Sequence, residues 1–410
     1  MPEASWLQSA SPAFRLMIAT SWLAPACWQE KQEQAIREAI QVIGAGMDWM
    51  EYIRLVDRHR TPALSWAALK RVPGLEIPEP ARQELQKRSD ACRMQAMRHC
   101  ILLASMLKAF NRAGIPVMPL KGPLLSSEIY GDVGLRQSHD LDMAVQPGDL
   151  SRAQICLNDL GWPLESSYAP MTPRQWEQHL RMEKHLNFID PQRECLLELH
   201  WRFISAQPGL NSARWARSVS SVWQGCAYQA MNPIDQVLYL CCHGAEHAWS
   251  RAKWLGDLAR IHAIAKVDWE AALEQARASR QEKPLFLGLR LLHIVHALPV
   301  PRLPGNPWEQ LSPFLVDSPL YALHMDRDPM DRDPAGMGAL DVLADRLRIF
   351  RYVRQILPRK NWRESLSQLA YCREDFGVLR LPDRFYWAYT PLRPFLWVWR
   401  QIPRRRTPSG

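Results

Sequence analysis
The chain holds nine cysteines but no Cys-x-x-Cys pair, and the number is odd. That speaks against a disulfide framework of the secreted kind and fits thiols kept reduced in a cytoplasm. Long apolar runs are also missing. The nearest, residues 14–24, is interrupted by Arg15, is too short to cross a bilayer, and lacks a secretion signal's layout. The expectation is therefore a soluble, cytoplasmic protein with no transmembrane segment. No basic stripe interleaved with aromatics accompanies the acidic motif described below, so nucleic acid is not an expected partner. The net charge of +9 is modest, and part of it lies in Arg404, Arg405 and Arg406. A small polyanion such as a nucleoside triphosphate suits the same bias.

What is present is enough chain, 410 residues, for two or three domains with a real core. Residues 1–115 carry helical spacing broken by prolines; Leu102, Leu103, Met106, Leu107 and Phe110 form a stripe that reads as core. Residues 116–204 turn to a mixed α/β pattern, and 205–300 return to helices, strongest over 233–247, 251–265, 269–280 and 285–297. Residues 301–410 combine a Pro-rich linker, a tandem Met-Asp-Arg-Asp-Pro repeat at 325–334 that reads as a solvated loop, a further helix, and an aromatic-basic C-terminal segment. That last segment has two readings: aromatics packed on the helical domain with a solvated basic tail, or a weak peripheral contact with a membrane surface.

Chemistry concentrates in residues 116–145. A strand over 116–120 leads through a Lys121-Gly122 turn into a helix, then into a second strand carrying Asp140, Leu141 and Asp142. Strand alternation puts Asp140 and Asp142 on one face. Two carboxylates there repel, and a hard divalent cation is the usual remedy. A glycine turn offers bare backbone N–H groups to an anion. Together these point to metal-assisted phosphoryl chemistry; two solvated acids at a sheet edge are the plain alternative. Further on, strand 185–190 and its hairpin partner 195–203 place Glu198 and His200 on one face, which positions Glu198 as a third carboxylate. His243-x-x-Glu246-His247 sets two imidazoles on one helix face, the inverted zinc-peptidase pattern, but no later acid is singled out as a third ligand.

Leu120-Lys121-Gly122, Tyr130, Gly134-Leu135-Arg136, His139-Asp140-Leu141-Asp142 and Leu197-Glu198-Leu199-His200-Trp201 carry a resemblance, joined by residues 243–247 and 254–257. Over roughly residues 35–300 the chain resembles the bacterial "uncharacterised nucleotidyltransferase" family, a branch of the DNA polymerase β superfamily. The resemblance implies an α+β fold, a small mixed sheet flanked by helices with a helical domain completing the cleft. It implies Mg²⁺, with Mn²⁺ as the alternative ion, held by Asp140, Asp142 and Glu198. Lys121, Gly122, Ser126 and Arg136 are the expected nucleotide-binding residues, and His200, His243, His247 and Lys253 the expected cleft lining. The implied reaction moves a nucleoside monophosphate, with ATP the expected donor, onto a hydroxyl of a small molecule, peptide or protein, releasing pyrophosphate. The other readings are a catalytically silent member of the fold, a nucleic-acid end-modifying transferase, and a zinc peptidase. The turn departs from the wider superfamily: Pro123 has no N–H to give a phosphate, and seventeen residues separate Gly122 from Asp140.

Overall fold
The computed structural model describes residues 6–401 apart from 8, 42–46, 167, 169, 193–194, 204–208, 302, 305–309, 326–338 and 358–370. The tandem repeat beyond Met325 and the arginines at 404–406 lie outside the described residues.

Helices α1 (Pro12–Thr20), α2 (Gln29–Gln41), α3 (Trp49–Arg58) and α4 (Pro62–Lys70) precede the long α5 (Glu79–Arg112). Pro80 stands in the first turn of α5, where its missing N–H costs nothing, and Leu103, Met106, Leu107 and Phe110 are buried along one face. That stripe lies against the sheet, so it serves as core. Strand β1 (Val117–Pro119) then runs into α6 (Gly122–Tyr130), which stops at Gly131 with a left-handed φ of 73°. Next come β2 (Asp140–Val145), α7 (Leu150–Asp159), α8 (Pro173–Met182), β3 (His185–Ile189) and β4 (Leu196–His200). Helix α8 opens on a capping box between Thr172 and Gln175.

The four strands form one mixed sheet in the order β1-β2-β4-β3. β1 and β2 are antiparallel, β2 and β4 parallel, and β4 and β3 antiparallel. One face, with Leu141, Met143, Val145, Leu197 and Leu199, buries against the α5 stripe and α7. The architecture is the α+β arrangement expected from the sequence.

The expectation that residues 205–300 are helical needs one correction. After α9 (Gly209–Ala216) the chain forms a β-hairpin, β5 (Val219–Trp223) with β6 (Cys226–Ala230). Its turn uses Gln224 and Gly225, both at positive φ, the geometry a two-residue hairpin demands. Helices then resume as α10 (Pro233–Glu246), α11 (Ala252–Ile264), α12 (Trp269–Ala278) and α13 (Glu282–His296), followed by α14 (Pro313–His324) and α15 (Ala339–Ile356). The N-terminal helices share a single apolar core with α10 to α15. The chain closes with α16 (Arg373–Val378), a short turn over Asp383–Ala388 and α17 (Tyr389–Gln401). Among the described residues no helix is long and apolar enough to cross a membrane.

Candidate active site
The site is built by strand register. Parallel pairing of β2 with β4 sets Asp142 opposite Glu198 and Ala144 opposite His200, and antiparallel pairing of β3 with β4 sets His185 opposite His200. Residues opposite one another share a sheet face, and so do alternate residues of one strand. Asp140, Asp142, Glu198, His200 and His185 therefore stand side by side, on the face away from Leu141 and Leu197. They line a cavity of about 240 Å³ that α10 and α11 close from the other side.

Inside it, Lys121 Nζ lies 2.9 Å from Asp142 Oδ1. His200 Nε2 lies 3.2 Å from Glu198 Oε2 and 3.4 Å from Asp142 Oδ1, bridging the two acids. His185 Nδ1 is 3.7 Å from the same Glu198 oxygen. Ser138 Oγ donates to the Asp140 carbonyl at 2.7 Å. Burial opposes ionisation of Asp142, but Lys121 and His200 outweigh it and hold the carboxyl below its usual range. The same contest leaves Glu198 well below its usual value, with His200 and His185 prevailing over burial. For His200 burial works against the charge, and Asp142 and Glu198 reverse the outcome, raising the imidazole. Burial pushes His185 down to about 3.

The remaining wall is cationic. Arg60, Lys121, Arg136, Lys184, Arg251 and Lys253 all line the cavity. Lys184 donates to Glu246 at 2.6 Å, and Lys253 to the Gln137 carbonyl at 3.3 Å. Burial, then Arg136 and Arg60, push the Lys253 ammonium well below its ordinary value. His243 is lowered in the same way, by burial first and then by Lys121, His247 and Lys184. Positive charge is thus in excess on this side of the cavity. His243 and His247 also pack with aromatic neighbours: their rings lie 5.4 and 5.0 Å from that of Trp254, and His243 stacks on Tyr239.

Two expected nucleotide-binding residues are spent elsewhere. Ser126 is fully buried; its hydroxyl donates to the Asp132 carbonyl at 2.6 Å and accepts from the Arg136 N–H at 3.1 Å. It ties down the loop after α6 and does not line the cavity. Arg136 does reach the cavity wall, but its Nε donates to both carboxylate oxygens of Asp257 on α11, each at 2.9 Å, with both side chains buried. Burial works against the Arg136 charge, and Asp257 more than restores it. Gly122 opens α6 at a φ of +72°, a conformation L side chains rarely adopt, and places Lys121 at the mouth of the helix. Arg60, Lys184, His185 and Tyr239 were not singled out from the sequence. His185 alone had a signal, the alternation of β3; Arg60 and Lys184 come from junctions and Tyr239 from the middle of α10, which only tertiary packing brings together.

The donor set fits a divalent cation. Asp142 Oδ2 is buried without a hydrogen-bond donor, and His185 Nδ1 is buried without a hydrogen-bond partner, while Asp142 Oδ1 faces Lys121 and His200. Among the described residues, the histidines, cysteines and acids close enough to share an ion are His185, Glu198 and His200. The zinc-peptidase pattern does not assemble there: Glu246 faces Lys184, and among the described residues no third ligand gathers around His243 and His247.

A family model described as an uncharacterised nucleotidyltransferase matches residues 45–296. Comparison with curated proteins gives no match. Among solved structures, the chain is similar to the antibiotic-resistance factor ANT(2'')-Ia in its solution structure, with 13% identity over 49% of this chain and 94% of that one and a TM-score of 0.26. The family match spans more than half of the sequence and encloses the acidic face, the lysine turn and both cavity-lining helices, so the chain belongs to the uncharacterised nucleotidyltransferase family and is a nucleotidyltransferase.

Proposed function
We propose that the protein transfers a nucleoside monophosphate from a nucleoside triphosphate, ATP first among the donors, onto an acceptor hydroxyl with release of pyrophosphate. The observation that carries this is the division of one cavity into an acidic floor and a cationic wall. Asp140, Asp142 and Glu198 would hold the divalent ion, Mg²⁺ or Mn²⁺, with Asp142 giving up Lys121 and His200 to do so. As they stand, the described side chains within reach of a common ion are Glu198, His200 and His185. When bound, such an ion lowers the pKa of a coordinated hydroxyl and neutralises charge on the reacting phosphate. Lys121, Lys253 and Arg60 would meet the triphosphate oxygens. The repulsion of Lys253 by Arg136 and Arg60 is what a polyanion would relieve. Tyr239, His243, His247 and Trp254 offer ring faces to the base. Glu198, held well below the usual carboxylate range, suits ligation better than proton abstraction. Catalysis on this reading rests on positioning and charge compensation.

The test incubates the full chain with each of four α-labelled nucleoside triphosphates, Mg²⁺ or Mn²⁺, and fractionated bacterial lysate. Label should appear on one acceptor class and fall by roughly 10³-fold in Asp142→Asn. Transfer that survives Asp142→Asn and Glu198→Gln together would overturn the assignment.

A further inference from the structure
The last helix follows the acidic face by almost two hundred residues and carries apolar side chains both on and beyond the edge that it packs. Tyr389 and Leu396 are buried, with Leu392 packed beside them, against Met182, Tyr371 and Phe376. The helix is pinned there: Tyr389 Oη donates to the Leu379 carbonyl at 2.6 Å and accepts from Gln175 Nε2 at 3.0 Å. Beyond the packed edge, Phe395 is 72% exposed and Trp399, one turn on, 58%. Trp387, in the turn before the helix, is 66% exposed, and Phe385 41%. Trp387 and Trp399 are the exposed tryptophans among the described residues; the other described ones are buried or half-buried. Burial is the ordinary fate of so large an apolar ring, so this cluster marks a surface that meets something.

Charge selects the partner. Residues 380–410 hold seven arginines against one acid, Asp383. Arg380 and Arg384 are exposed, and the Arg384 guanidinium lies over the Phe385 ring at 4.9 Å. A second copy meeting this face through a two-fold axis would bring like charges together. An anionic lipid surface complements both properties at once. Tryptophan and phenylalanine settle at the headgroup level, and arginines pair with the phosphates above them.

We propose that the segment from Arg380 to Gln401 is a peripheral docking surface for anionic bilayers. It holds the enzyme at the lipid–water boundary without any segment crossing. The reading is independent of the transferase chemistry, since none of these residues lines the acidic cavity.

The test is flotation of the full chain with phosphatidylcholine vesicles, with or without phosphatidylglycerol, at low and high salt. The wild type should float with the anionic vesicles, and salt should weaken the association. Trp387→Ala/Trp399→Ala should reduce partitioning on the order of tenfold or more while circular dichroism stays unchanged. Arg384→Glu/Arg393→Glu keeps the aromatic rings and should lose the preference for anionic over neutral lipid; it carries the test should the tryptophan pair misfold. Three results would overturn the proposal: no flotation with either vesicle, equal and salt-independent binding to both, or a wild-type dimer that the tryptophan pair converts to monomer.

Discussion

The pair between Arg136 and Asp257 separates a structural arginine from a phosphate-binding one. Both side chains are almost completely buried, at 2% and 0% exposure, and two contacts of 2.9 Å join them. Arg136→Met leaves the Asp257 carboxylate in the interior without its partner; Asp257→Leu strands the guanidinium. Removing one member of a buried pair costs about 3–5 kcal/mol, whereas replacing both by apolar residues of similar volume is often close to neutral. Each single variant should therefore lower the melting temperature by about 6–15 °C, taking about 2–3 °C per kcal/mol for a large domain. Arg136→Met/Asp257→Leu should recover most of that loss. Differential scanning fluorimetry gives the stabilities, and label transfer at varied triphosphate concentration gives KM. The double variant should keep KM within several-fold of wild type, because the guanidinium already serves Asp257. A double variant as unstable as either single, or one with wild-type stability and a hundredfold higher KM, would refute the assignment.

Other outcomes follow from the same coordinates. His179 is fully buried, bonded to the Tyr371 hydroxyl at 2.5 Å, and burial holds its imidazole down at about 4. Its unfolded form takes up a proton first, so its stabilising contribution is complete above pH 6.5 and is lost as pH falls from there towards 4. Between pH 7 and 5 the loss is about 2 kcal/mol, and His179→Gln should flatten that part of the stability profile measured by urea unfolding. A Cβ on Gly256 would sit well inside van der Waals contact of the Ser21 carbonyl, so Gly256→Ala should force α11 from α1 and cost about 1–3 kcal/mol in the same assay. Mn²⁺ or Mg²⁺ at a hundredfold excess over its dissociation constant should stabilise the wild type by about 2.7 kcal/mol, and Asp142→Asn/Glu198→Gln should abolish that shift in a calorimetric scan.

The acidic face was legible because strand alternation is a local rule: Asp140 and Asp142 are two residues apart, and so are Glu198 and His200. That β2 and β4 are neighbours, in the register that pairs Asp142 with Glu198, is a long-range fact no local pattern encodes. The β5–β6 hairpin escaped notice because its strands are five residues each and β5 is largely exposed; only β6 turns a side to the core, through Tyr228. Its Gln224-Gly225 turn was the available signal. Ser126 misled for a different reason. A serine near the start of a helix has the chemistry of an anion donor, but this hydroxyl is turned to the loop after α6, between the Asp132 carbonyl and the Arg136 N–H. Arg136 likewise needed a counter-ion from 121 residues further along the chain.

The parallel seam between the second and fourth strands has a consequence for how activity should be interpreted. A slip of one residue along that seam would turn Glu198 and His200 onto the face packed by α5 and push Leu197 and Leu199 into the cavity. No half-competent geometry exists between those two settings. Turnover per molecule in a preparation then counts the fraction of chains correctly zipped, and a poorly refolded batch contains dead molecules among fully able ones instead of a uniform, slower population.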